Sequence, residues 1–576
     1  MKLLYATFII WSCLIVCPVT IYSQLTHSWS YQFGGGSSDL GHQIIHDNVG
    51  NIYLTGEFAS SADFGTGGTS TVLQSAGSWD VFLAKYNNNG ELDFVFNIAG
   101  EGDATGSSLT VDLQGNIIIC GTFEGTADFD PGPGLALLSS TGSFDIFIAK
   151  YDPQGNFINA LSLGGEFYDQ VHRIYTDKED NIYLSGVLYD TIDFDLSSNE
   201  ELLTSLNPDW GGAFIVKYDS VFNMVFAHAF SSPDGEILIY EILPDDSGNL
   251  FITGEFSADI DFDQGPGNTI LNASIFYNAF LAKYDSVGNF LFAFDIGDDN
   301  NVTGTSLALD ESGNVYIGGF FTGDADFDGG VGTYTLHSNG NKVPFLAKYT
   351  NFGAFIKAIK FDGVNGSIGF GNSIATDLQS NLYIAGTFSG EIDFDGGNNL
   401  EVLISSDWSW DIFLVKYDSA LLFIDGFSIG GVDTDLAASC THDPDGNIYI
   451  TGVFNGEADF DPGPGESILT SNGYDDIFLA KYSQGMVHTT DMPTSTTTGF
   501  KIFPNPASNL VYLDTREAIL DAHVLIINLA GQVVGTYKGL SGNHFVADIS
   551  ALPPGIYILE LAGDGKAFRE KVVVER

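Results

Sequence analysis

The chain has 576 residues and is rich in glycine (69), phenylalanine (46) and tyrosine (25), but it has only four methionines. This length exceeds one ordinary core, and the composition is typical of a β-rich protein with many turns rather than a helical one. The formal net charge is -54, which excludes general binding of nucleic acid or anionic membrane and favours cations or basic partners. High solubility is the plainer explanation of the same charge, and both stay open.

The first 23 residues predict an export signal. Lys2 precedes an apolar run that continues to Tyr22, and the segment ends at Ser23. The run is also long enough to cross a membrane, so a cleaved signal and an uncleaved anchor are both compatible with it. Two cysteines remain beyond this segment, Cys120 and Cys440. They fall in separate repeats, too far apart for a disulfide, so we expect buried free thiols.

An eight-residue stretch that starts at Asn51 occurs seven times, with starts 65 to 68 residues apart. A period of this length and regularity identifies a repeat architecture. The copies are NIYLTGEF at 51, NIIICGTF at 116, NIYLSGVL at 181, NLFITGEF at 249, NVYIGGFF at 314, NLYIAGTF at 381 and NIYITGVF at 447.

Each repeat reads as four strands, which we name A to D. Strand A is short, strand B is the recurring stretch, strand C ends in Lys-Tyr, and strand D ends in glycines. The chain begins with a D strand at 27–35, and its last repeat has only A, B and C. In a ring of four-stranded blades, the N-terminal strand can complete the last blade. Tyr31 and Phe33 should then lie beside the strand from Ile477 to Tyr482. We therefore predict an all-β chain in which residues 24–484 form a seven-bladed β-propeller closed by the N-terminal strand.

The repeat resembles the SBBP-type β-propeller repeat family of bacteria. The resemblance rests on the B strands given above and on the C strands WDVFLAKY at 79–86, FDIFIAKY at 144–151 and WDIFLVKY at 410–417. It implies the propeller fold over most of the chain. It implies little about activity, because one fold carries many functions.

The composition of the sequence changes after the repeats, and the repeat period ends. Residues 485–499 are polar, rich in threonine and without a period, which predicts a linker. Residues 500–576 read as short alternating strands between turn residues, as in a small Ig-like β-sandwich. This region resembles the type A C-terminal sorting domain of the type IX secretion system of Bacteroidota. The residues that carry the resemblance are Pro504, Asn505, Pro506, Gly531, Gly555 and Tyr557.

The resemblance to this sorting domain implies a route of export. The chain would cross the inner membrane by the Sec pathway, engage the type IX secretion machinery as a partner, and reach the outer-membrane surface or the medium. The sequence leaves open whether the sorting domain is removed and whether the product is anchored or released.

An aspartate lies four residues before the first Asn of every B strand. The spacing Asp-x-x-x-Asn is typical of a tight polar turn in which the carboxylate accepts backbone N–H groups, so we interpret it as a turn cap. These turn aspartates are Asp47, Asp112, Asp177, Asp245, Asp310, Asp377 and Asp443.

A second recurring acid opens the pattern Asp-Phe-Asp after strand B. Asp128 with Asp130, and Asp459 with Asp461, precede Pro-Gly-Pro-Gly and are the candidate calcium ligands. Paired carboxylates on a glycine-rich loop supply the oxygen atoms that Ca²⁺ prefers. Fixing the loop is the alternative role, and we expect no other cofactor.

A lysine lies near the end of every C strand, although basic residues are scarce before residue 500. Its recurrence at one place predicts a buried ion pair, and the first Asp of Asp-Phe-Asp is the expected partner. The lysines are Lys85, Lys150, Lys217, Lys283, Lys348, Lys416 and Lys481.

Binding or catalytic residues should lie where the repeat is broken. Arg173 is the only arginine before residue 500, and Glu241 occupies the same place in the next repeat, where small polar residues are the norm. Strand alternation predicts that both face the channel and pair with each other. His46 and His442 occupy equivalent places at the ring closure. The arginine fork suits a carboxylate or sulfate, and two histidines could hold a metal. A space-filling ion pair and ordinary rim residues are the alternatives.

Together these patterns predict an exported propeller that acts as a binding or structural module and is a monomer. Its ligand, a protein, a glycan or a cation, is not identified by any motif. The alternative is an extracellular enzyme that cleaves polysaccharides or esters at the propeller mouth. The sequence contains no HExxH, phosphate-loop or CxxC motif, and we name no catalytic residue.

Overall fold

The computed structural model describes residues 25–484 and 500–574, except 198, 274–275, 299, 339–340, 398–400, 464, 504–509, 529–532, 551, 554 and 564–565. The predicted signal segment, residues 1–23, and the predicted linker, residues 485–499, lie outside the described residues. The chain divides into two compact units, Met1–Met486 and Val487–Arg576. The fold is all-β, as predicted, and no helix of the described residues is long and apolar enough to cross a membrane.

The described residues of the N-terminal unit form seven sets of four antiparallel strands, each paired in the order A-B-C-D. We call each set a sheet, although sheets 1 and 2 are continuous through the pairing of Ala99 with Asp128. The first strand of the chain, β1 (Leu25–Phe33), belongs to the last of them. Sheet 1 contains β2 (Asp39–His46), β3 (Ile52–Asp63), β4 (Val72–Tyr86) and β5 (Leu92–Gly100). Sheet 2 contains β6 (Ala104–Val111), β7 (Ile117–Asp128), β8 (Leu137–Tyr151) and β9 (Phe157–Leu163).

Sheets 3 to 5 follow the same order and carry a short two-stranded ribbon in the loop between B and C. Sheet 3 contains β10 (Gln170–Thr176), β11 (Ile182–Leu188), the ribbon β12 (Thr191–Asp193) and β13 (Leu202–Thr204), β14 (Gly212–Tyr218) and β15 (Met224–Phe230). Sheet 4 contains β16 (Ile237–Pro244), β17 (Leu250–Phe256), the ribbon β18 (Ile260–Asp261) and β19 (Ile270–Leu271), β20 (Asn278–Tyr284) and β21 (Phe290–Ile296). Sheet 5 contains β22 (Val302–Leu309), β23 (Val315–Phe321), the ribbon β24 (Asp324–Asp326) and β25 (Thr335–His337), β26 (Val343–Tyr349) and β27 (Phe355–Lys360).

Sheets 6 and 7 complete the N-terminal unit. Sheet 6 contains β28 (Asp362–Thr376), β29 (Leu382–Asp393), β30 (Val402–Ile404), a 3₁₀ turn at Ser406–Trp408, β31 (Asp411–Tyr417) and β32 (Phe423–Gly431). Sheet 7 contains β33 (Asp435–His442), β34 (Ile448–Phe454), the ribbon β35 (Glu457–Asp459) and β36 (Ile468–Thr470), and β37 (Asp476–Gln484).

Strand β1 completes sheet 7 by pairing with β37. Tyr31 lies opposite Leu479, and Gln32 lies opposite Phe478. This confirms the strand pairing that the order of the repeats predicts. The A strands contact one another in chain order from β2 to β33, and β33 in turn contacts β2. Backbone pairing also links neighbours, because the D strand of one sheet meets the Asp-Phe-Asp segment of the next, as at Ala99 opposite Asp128.

The core lies around the B and C strands, whose residues are almost all buried on both faces. The tyrosine that ends strand C is fully buried in every sheet, and its hydroxyl donates to the carbonyl of the Phe in Asp-Phe-Asp. Tyr151 Oη lies 2.9 Å from Phe129 O in sheet 2. This bond fixes the long loop after strand B against strand C, which explains the recurring Lys-Tyr. Cys120 and Cys440 are buried and free, as predicted.

The C-terminal unit contains β38 (Phe500–Phe503), β39 (Leu510–Asn528), β40 (Val533–Asp548), β41 (Gly555–Gly563) and β42 (Lys566–Val574). The strand order is β38-β39-β41-β42, and β40 pairs with β39. Tyr557 is buried in the core of this unit, and its hydroxyl donates to Pro553 O at 2.9 Å. Gly555 begins β41. The other residues that suggest a sorting domain, Pro504, Asn505, Pro506 and Gly531, lie outside the described residues.

Candidate functional site

The turn aspartates cap the turn between strands A and B in every sheet, as predicted. In each repeat, the backbone N–H of the Asn donates to Asp Oδ1 at 2.8–3.0 Å, and its side-chain amide donates to Asp Oδ2 at 2.7–2.9 Å. Burial acts to raise the pKa of Asp112 and Asp310, but bonds from Lys150 and Lys348, together with these Asn bonds, outweigh it and hold the pKa below the usual value. The residues of this motif are structural.

The candidate calcium ligands bond to their own loops. Asp128 Oδ1 accepts the backbone N–H groups of Asp130 and Ala136, at 3.1 and 2.9 Å, and Asp130 Oδ1 accepts that of Gly132. The same bonds form around Asp459 and Asp461. In the part of the chain that the structure describes, no group of three or more His, Cys, Asp or Glu side chains is arranged to hold a metal ion. The bonds that are present fit the loop-fixing role.

The lysine of strand C is paired in most sheets, but the predicted partner is wrong. Its ammonium group lies beside the turn aspartate, not beside Asp-Phe-Asp. The Nζ to carboxylate distances are 2.8 Å for Lys150–Asp112, 3.7 Å for Lys217–Asp177, 2.9 Å for Lys283–Asp245, 3.1 Å for Lys348–Asp310 and 4.0 Å for Lys481–Asp443. Lys85 instead lies 3.8 Å from Asp93, and Lys416 lies over the ring of Tyr383.

Five of these seven lysines also link neighbouring sheets. The ammonium group donates to a backbone carbonyl in the turn between strands C and D of the next sheet. The bonds are Lys85 to Pro153 O, Lys217 to Ser286 O, Lys283 to Asn351 O, Lys348 to Ser419 O and Lys481 to Asn88 O. The last of these joins sheet 7 to sheet 1. The lysine is therefore an inter-sheet contact, and the repeat pattern alone did not predict this role.

Arg173 and Glu241 meet across the boundary between sheets 3 and 4, as predicted. Arg173 Nε lies 3.1 Å from Glu241 Oε2, and the two side chains are 26% and 11% exposed. Burial acts to lower the pKa of Arg173, but the adjacent Glu241 outweighs it and raises the pKa above the usual value. Burial raises the pKa of Glu241, and Arg173 offsets this only in part. The pair lines a cavity of about 330 Å³ bordered by the A strands.

His46 and His442 lie together and line the same cavity. Their ring centroids are 5.5 Å apart, and His46 Nδ1 lies 2.8 Å from Thr441 Oγ1. Burial, together with the neighbouring His442, lowers the pKa of His46 to about 4. His46 is therefore neutral at pH 7.

Every A strand contains a β-bulge at the same place, which strict alternation did not predict. The extra residue directly precedes the predicted polar residue, and a bulge re-aims the side chain that it inserts. All seven bulge residues line one cavity of about 430 Å³. They are His42, Ser107, His172, Tyr240, Thr305, Asn372 and Ala438.

The bulge side chains also link neighbouring sheets. His42 Nδ1 lies 3.0 Å from Gly106 O, and His172 Nδ1 lies 2.9 Å from Ile239 O. Thr305 bonds to the next sheet in the same way. In the sequence, a glycine before the bulge residue marks four of the seven positions, since glycine inside a strand often signals a bulge. Those glycines are Gly41, Gly106, Gly304 and Gly371.

An apolar pocket of about 610 Å³ adjoins the bulge residues between sheets 6, 7 and 1. Phe370 and Trp410 are among its lining residues, and their ring centroids lie 5.4 Å apart. Phe320 continues the row, with its centroid 4.9 Å from that of Phe370. His42 and Asn372 line both this pocket and the cavity of the bulge residues. The two spaces are therefore neighbours.

One segment matches the sequence pattern of a serine nucleophile, and it is easily overlooked. Gly426-Phe427-Ser428-Ile429-Gly430 fits G-x-S-x-G. It lies within strand β32 rather than at a sharp turn from a strand into a helix. The pattern therefore lacks the context that activates such a serine.

Residues 501–575 match the family described as the secretion system C-terminal sorting domain. The match covers the C-terminal unit and indicates export by type IX secretion to the cell surface or the medium. It also implies an interaction with the type IX secretion machinery.

The repeats are similar to an uncharacterized WD repeat-containing protein of Acanthamoeba polyphaga mimivirus. The two are 22% identical over 425 residues, which cover 61% of this chain and 30% of that protein. The match thus spans less than a third of the relative.

Two solved structures have low similarity to this chain. A member of the duf4221 family from Bacteroides vulgatus has a TM-score of 0.29 and 9% identity, and the match covers 81% of this chain and 99% of that one. The extracellular domain of a putative one component system from B. thetaiotaomicron has a TM-score of 0.15 and 12% identity, with coverage of 96% and 99%. TM-scores this low carry no argument about the fold.

Proposed function

We propose that this protein is an exported binding module built on a seven-bladed β-propeller of the SBBP repeat type. The seven sheets are the blades, and β1 closes the ring. Support comes from the contact of β33 with β2 and from the seven bulge residues around one cavity. The similarity to a protein named for WD repeats also favours a propeller, because WD repeats build propeller blades.

The observation that carries a binding role is the position of Arg173. It is the only arginine among residues 24–484 and lines both the 330 Å³ cavity and the cavity of the bulge residues. Glu241 engages its Nε, and the carbonyl of His172 engages one terminal nitrogen. A guanidinium group has five N–H donors, so it retains donors for a ligand. The ligand is then a surface glycan or protein segment that carries a carboxylate or sulfate group.

The polar residues at the channel mouth and the apolar pocket make different contributions to ligand binding. Ligand sites are mostly apolar and use a few placed polar groups for orientation. The pocket at Phe370 and Trp410 has the volume of such sites, which range from about 300 to 1,000 Å³. Arg173 supplies the orienting charge.

A binding experiment tests the role of Arg173. The full chain is applied to a glycan array that includes sulfated and uronic-acid glycans, with and without calcium. Arg173→Ser should weaken binding of acidic glycans by ~10- to 100-fold, because a hydrogen bond to a charged group contributes about 1.5–3 kcal/mol.

The matched control is Ser306→Ala, at the equivalent position of sheet 5. Ser306 Oγ is buried and bonds to none of the described residues, so its removal should leave binding unchanged. Equal affinity of Arg173→Ser and the parent chain for every acidic glycan would exclude Arg173 as the anchor.

An extracellular enzyme that cleaves polysaccharides or esters is the second candidate. One observation favours it: Arg173, Glu241, His46 and His442 line a single cavity. Binding has the better support because His46, with a pKa of about 4, is a weak base at neutral pH and Glu241 is engaged by Arg173. Release of reducing ends or of a chromogenic alcohol, lost in His442→Ala, would support the enzyme.

For the remaining regions we propose the boundaries that the sequence predicts. Residues 1–23 are the export signal, 24–484 the propeller, 485–499 a linker and 500–576 a small Ig-like sandwich that acts as the sorting domain. The buried set Val511, Leu513, Val524, Ile526 and Leu559 supports a packed unit in the last region.

A further inference from the structure

Three of the seven boundaries between consecutive sheets bury two carboxyl groups side by side. One aspartate lies in strand C of a sheet, and the other lies at or just before the start of strand A of the next. All six side chains belong to residues that are at most 2% exposed. The pairs are Asp476 with Asp39, Asp145 with Asp169, and Asp411 with Asp435.

The strand A member has the same bonds in all three pairs. Asp39 Oδ2 accepts the N–H of Gly35 at 2.7 Å, and its Oδ1 accepts the N–H of Ala59 at 3.2 Å. Asp435 Oδ2 accepts the N–H of Gly431 at 2.7 Å, and its Oδ1 accepts the N–H of Asn455 at 3.4 Å. Asp169 Oδ2 accepts the N–H of Gly165 at 2.7 Å, and its Oδ1 accepts the N–H of Tyr189 at 3.2 Å. Both oxygens of this carboxyl group are therefore occupied as acceptors.

A glycine lies between the two carboxyl groups of each pair around sheet 7. A Cβ atom built on Gly34 would lie 2.6 Å from Asp476 Oδ1 and 2.9 Å from Asp39 Oδ2. A Cβ atom on Gly430 would lie 2.9 Å from both Asp411 Oδ1 and Asp435 Oδ2. The two acids thus face each other across a Cα atom that has no side chain.

One oxygen in two of the pairs is left without a hydrogen bond. Asp476 Oδ1 and Asp145 Oδ1 are buried and have no hydrogen-bond partner among the residues that the structure describes. The partner carboxyl group across the boundary can satisfy such an oxygen only if one of the two acids carries a proton. One shared proton would also remove the repulsion between two buried charges.

The surrounding charges do not compensate for ionisation of both acids. The charged neighbours are acidic: Asp475 beside Asp476, Asp433 beside Asp435, and Asp190 beside Asp169. Within the described residues, none of the ion pairs includes any of the six. Burial, together with the partner carboxyl group (Asp476 for Asp39 and Asp411 for Asp435), raises the pKa of Asp39 and Asp435 to about 7.

We propose that each pair holds one proton at its sheet boundary, and that loss of these protons loosens sheet 7 first. Sheet 7 is the sheet with such a pair on both sides: Asp411–Asp435 toward sheet 6 and Asp476–Asp39 toward sheet 1. It is also the sheet that β1 completes. The ring closure is therefore sensitive to pH.

The direction of the pH effect follows from the protons bound in each state. The unfolded chain loses the proton of such an aspartate near its ordinary pKa of 3.8, while the folded chain keeps it until about pH 7. The folded state therefore binds more protons in this window, and stability falls as pH rises through it. The stabilising effect is complete below about pH 4 and absent above about pH 7.

The two cysteines beyond the predicted export signal allow sheet 7 to be compared with sheet 2. Cys440 lies in β33 of sheet 7, and Cys120 lies in β7 of sheet 2; both are buried. The full chain is labelled with a maleimide between pH 6 and pH 8.5, and the modification of each cysteine is followed by peptide mass spectrometry. Labelling of Cys440 relative to that of Cys120 should rise several-fold across this range. A constant ratio would overturn the proposal.

A double substitution distinguishes the effect of the acid pairs on stability from other effects of pH. Asp476→Asn with Asp411→Asn keeps an acceptor oxygen and places an amide N–H toward the partner carboxyl group. The double variant should melt higher than the parent chain at pH 8 and should keep Cys440 protected. Asn278 already occupies this place in sheet 4.

The control is Asp80→Asn in sheet 1, where Ala104 begins the next A strand. Asp80 accepts bonds from Ala76 N, Gly77 N and Asn97 Nδ2. Burial and the neighbouring Asp103 raise its pKa, but no aspartate lies at the place of Asp39, so the amide should raise the melting temperature at pH 8 by less than the double variant does. A double variant that loses stability with rising pH as steeply as the parent chain would also overturn the proposal.

Discussion

At the scale of single residues, the lysine of strand C has several contacts at once. In sheet 5, Lys348 Nζ lies 3.1 Å from Asp310, 4.7 Å from the centroid of the Tyr316 ring and 2.7 Å from Ser419 O of sheet 6. Asp310 in turn caps its turn through Asn314. A partly buried ammonium group needs such partners, because an unpaired charge in this position would be costly.

Removal of the carboxylate from this cluster should be strongly destabilising. We expect Asp310→Ala to lower the free energy of unfolding by about 3–5 kcal/mol, since it leaves Lys348 without its counter-charge and strips the turn of its cap. Urea unfolding followed by tryptophan fluorescence measures the change. Asp362→Ala is the control, because Lys360 and Asp362 are 27% and 60% exposed and such a pair contributes less than about 1 kcal/mol. Similar losses in both variants would contradict the buried-pair role.

The sequence predicts that the lysine is paired, but it does not predict the partner. Two regularly spaced acids are available in each repeat, and the choice between them depends on the register of strands B and C. That register places Lys348 opposite Tyr316 and therefore beside the turn at Asp310. Only the three-dimensional pairing contains this information. The turn cap was predictable because all its bonds lie within five residues.

At the scale of elements, β1 must pack as well as the D strand of any other sheet. Phe33 is fully buried, with its ring centroid 5.1 Å from that of Tyr86 and 6.0 Å from that of Phe64 in sheet 1. Phe230 has the equivalent place in β15, with its centroid 6.0 Å from that of Tyr284 in sheet 4. The two residues form a matched pair, one near the start of the N-terminal unit and one inside the chain.

Truncation of the two phenylalanines tests the docking of β1. Phe33→Ala and Phe230→Ala should each cost about 3–5 kcal/mol of stability, because both delete a buried ring and leave a cavity. Urea unfolding curves of the two variants give the comparison. A loss at Phe230 with none at Phe33 would mean that the N-terminal strand does not contribute to the folded ring.

Element order was predictable from the sequence, but the shape of strand A was not. The D-first, C-last order leads directly to the pairing of β1 with β37. Alternation alone assigns Gln43 and Arg173 to the channel, while the bulge adds His42 and His172 beside them. A bulge depends on the paired strand as well as on local sequence, and three of the seven bulges have no preceding glycine.

At the scale of the whole molecule, the chain divides its tasks between two units. The repeats carry nearly all the negative charge, since residues from 500 onward include seven basic and eight acidic residues. A strongly acidic surface keeps the repeats soluble and disfavours anionic partners at long range. Arg173, which lines two cavities, is therefore more informative than a basic residue would be on a surface of mixed charge. The sorting unit, which is nearly neutral, matches its family over residues 501–575.

Transport from the periplasm to the cell surface should depend on the C-terminal unit. Deletion of residues 500–576 should leave the chain in the periplasm of its native host, because residues 501–575 are the part of the chain that matches the sorting domain. Fractionation and immunoblotting of cells and medium measure the outcome. The deletion should leave folding of the repeats intact, since the two regions form separate compact units. The reciprocal control fuses residues 485–576 to a periplasmic reporter protein, which should then reach the surface or the medium. Normal surface delivery of the truncated chain would show that the repeats contain a secretion signal of their own.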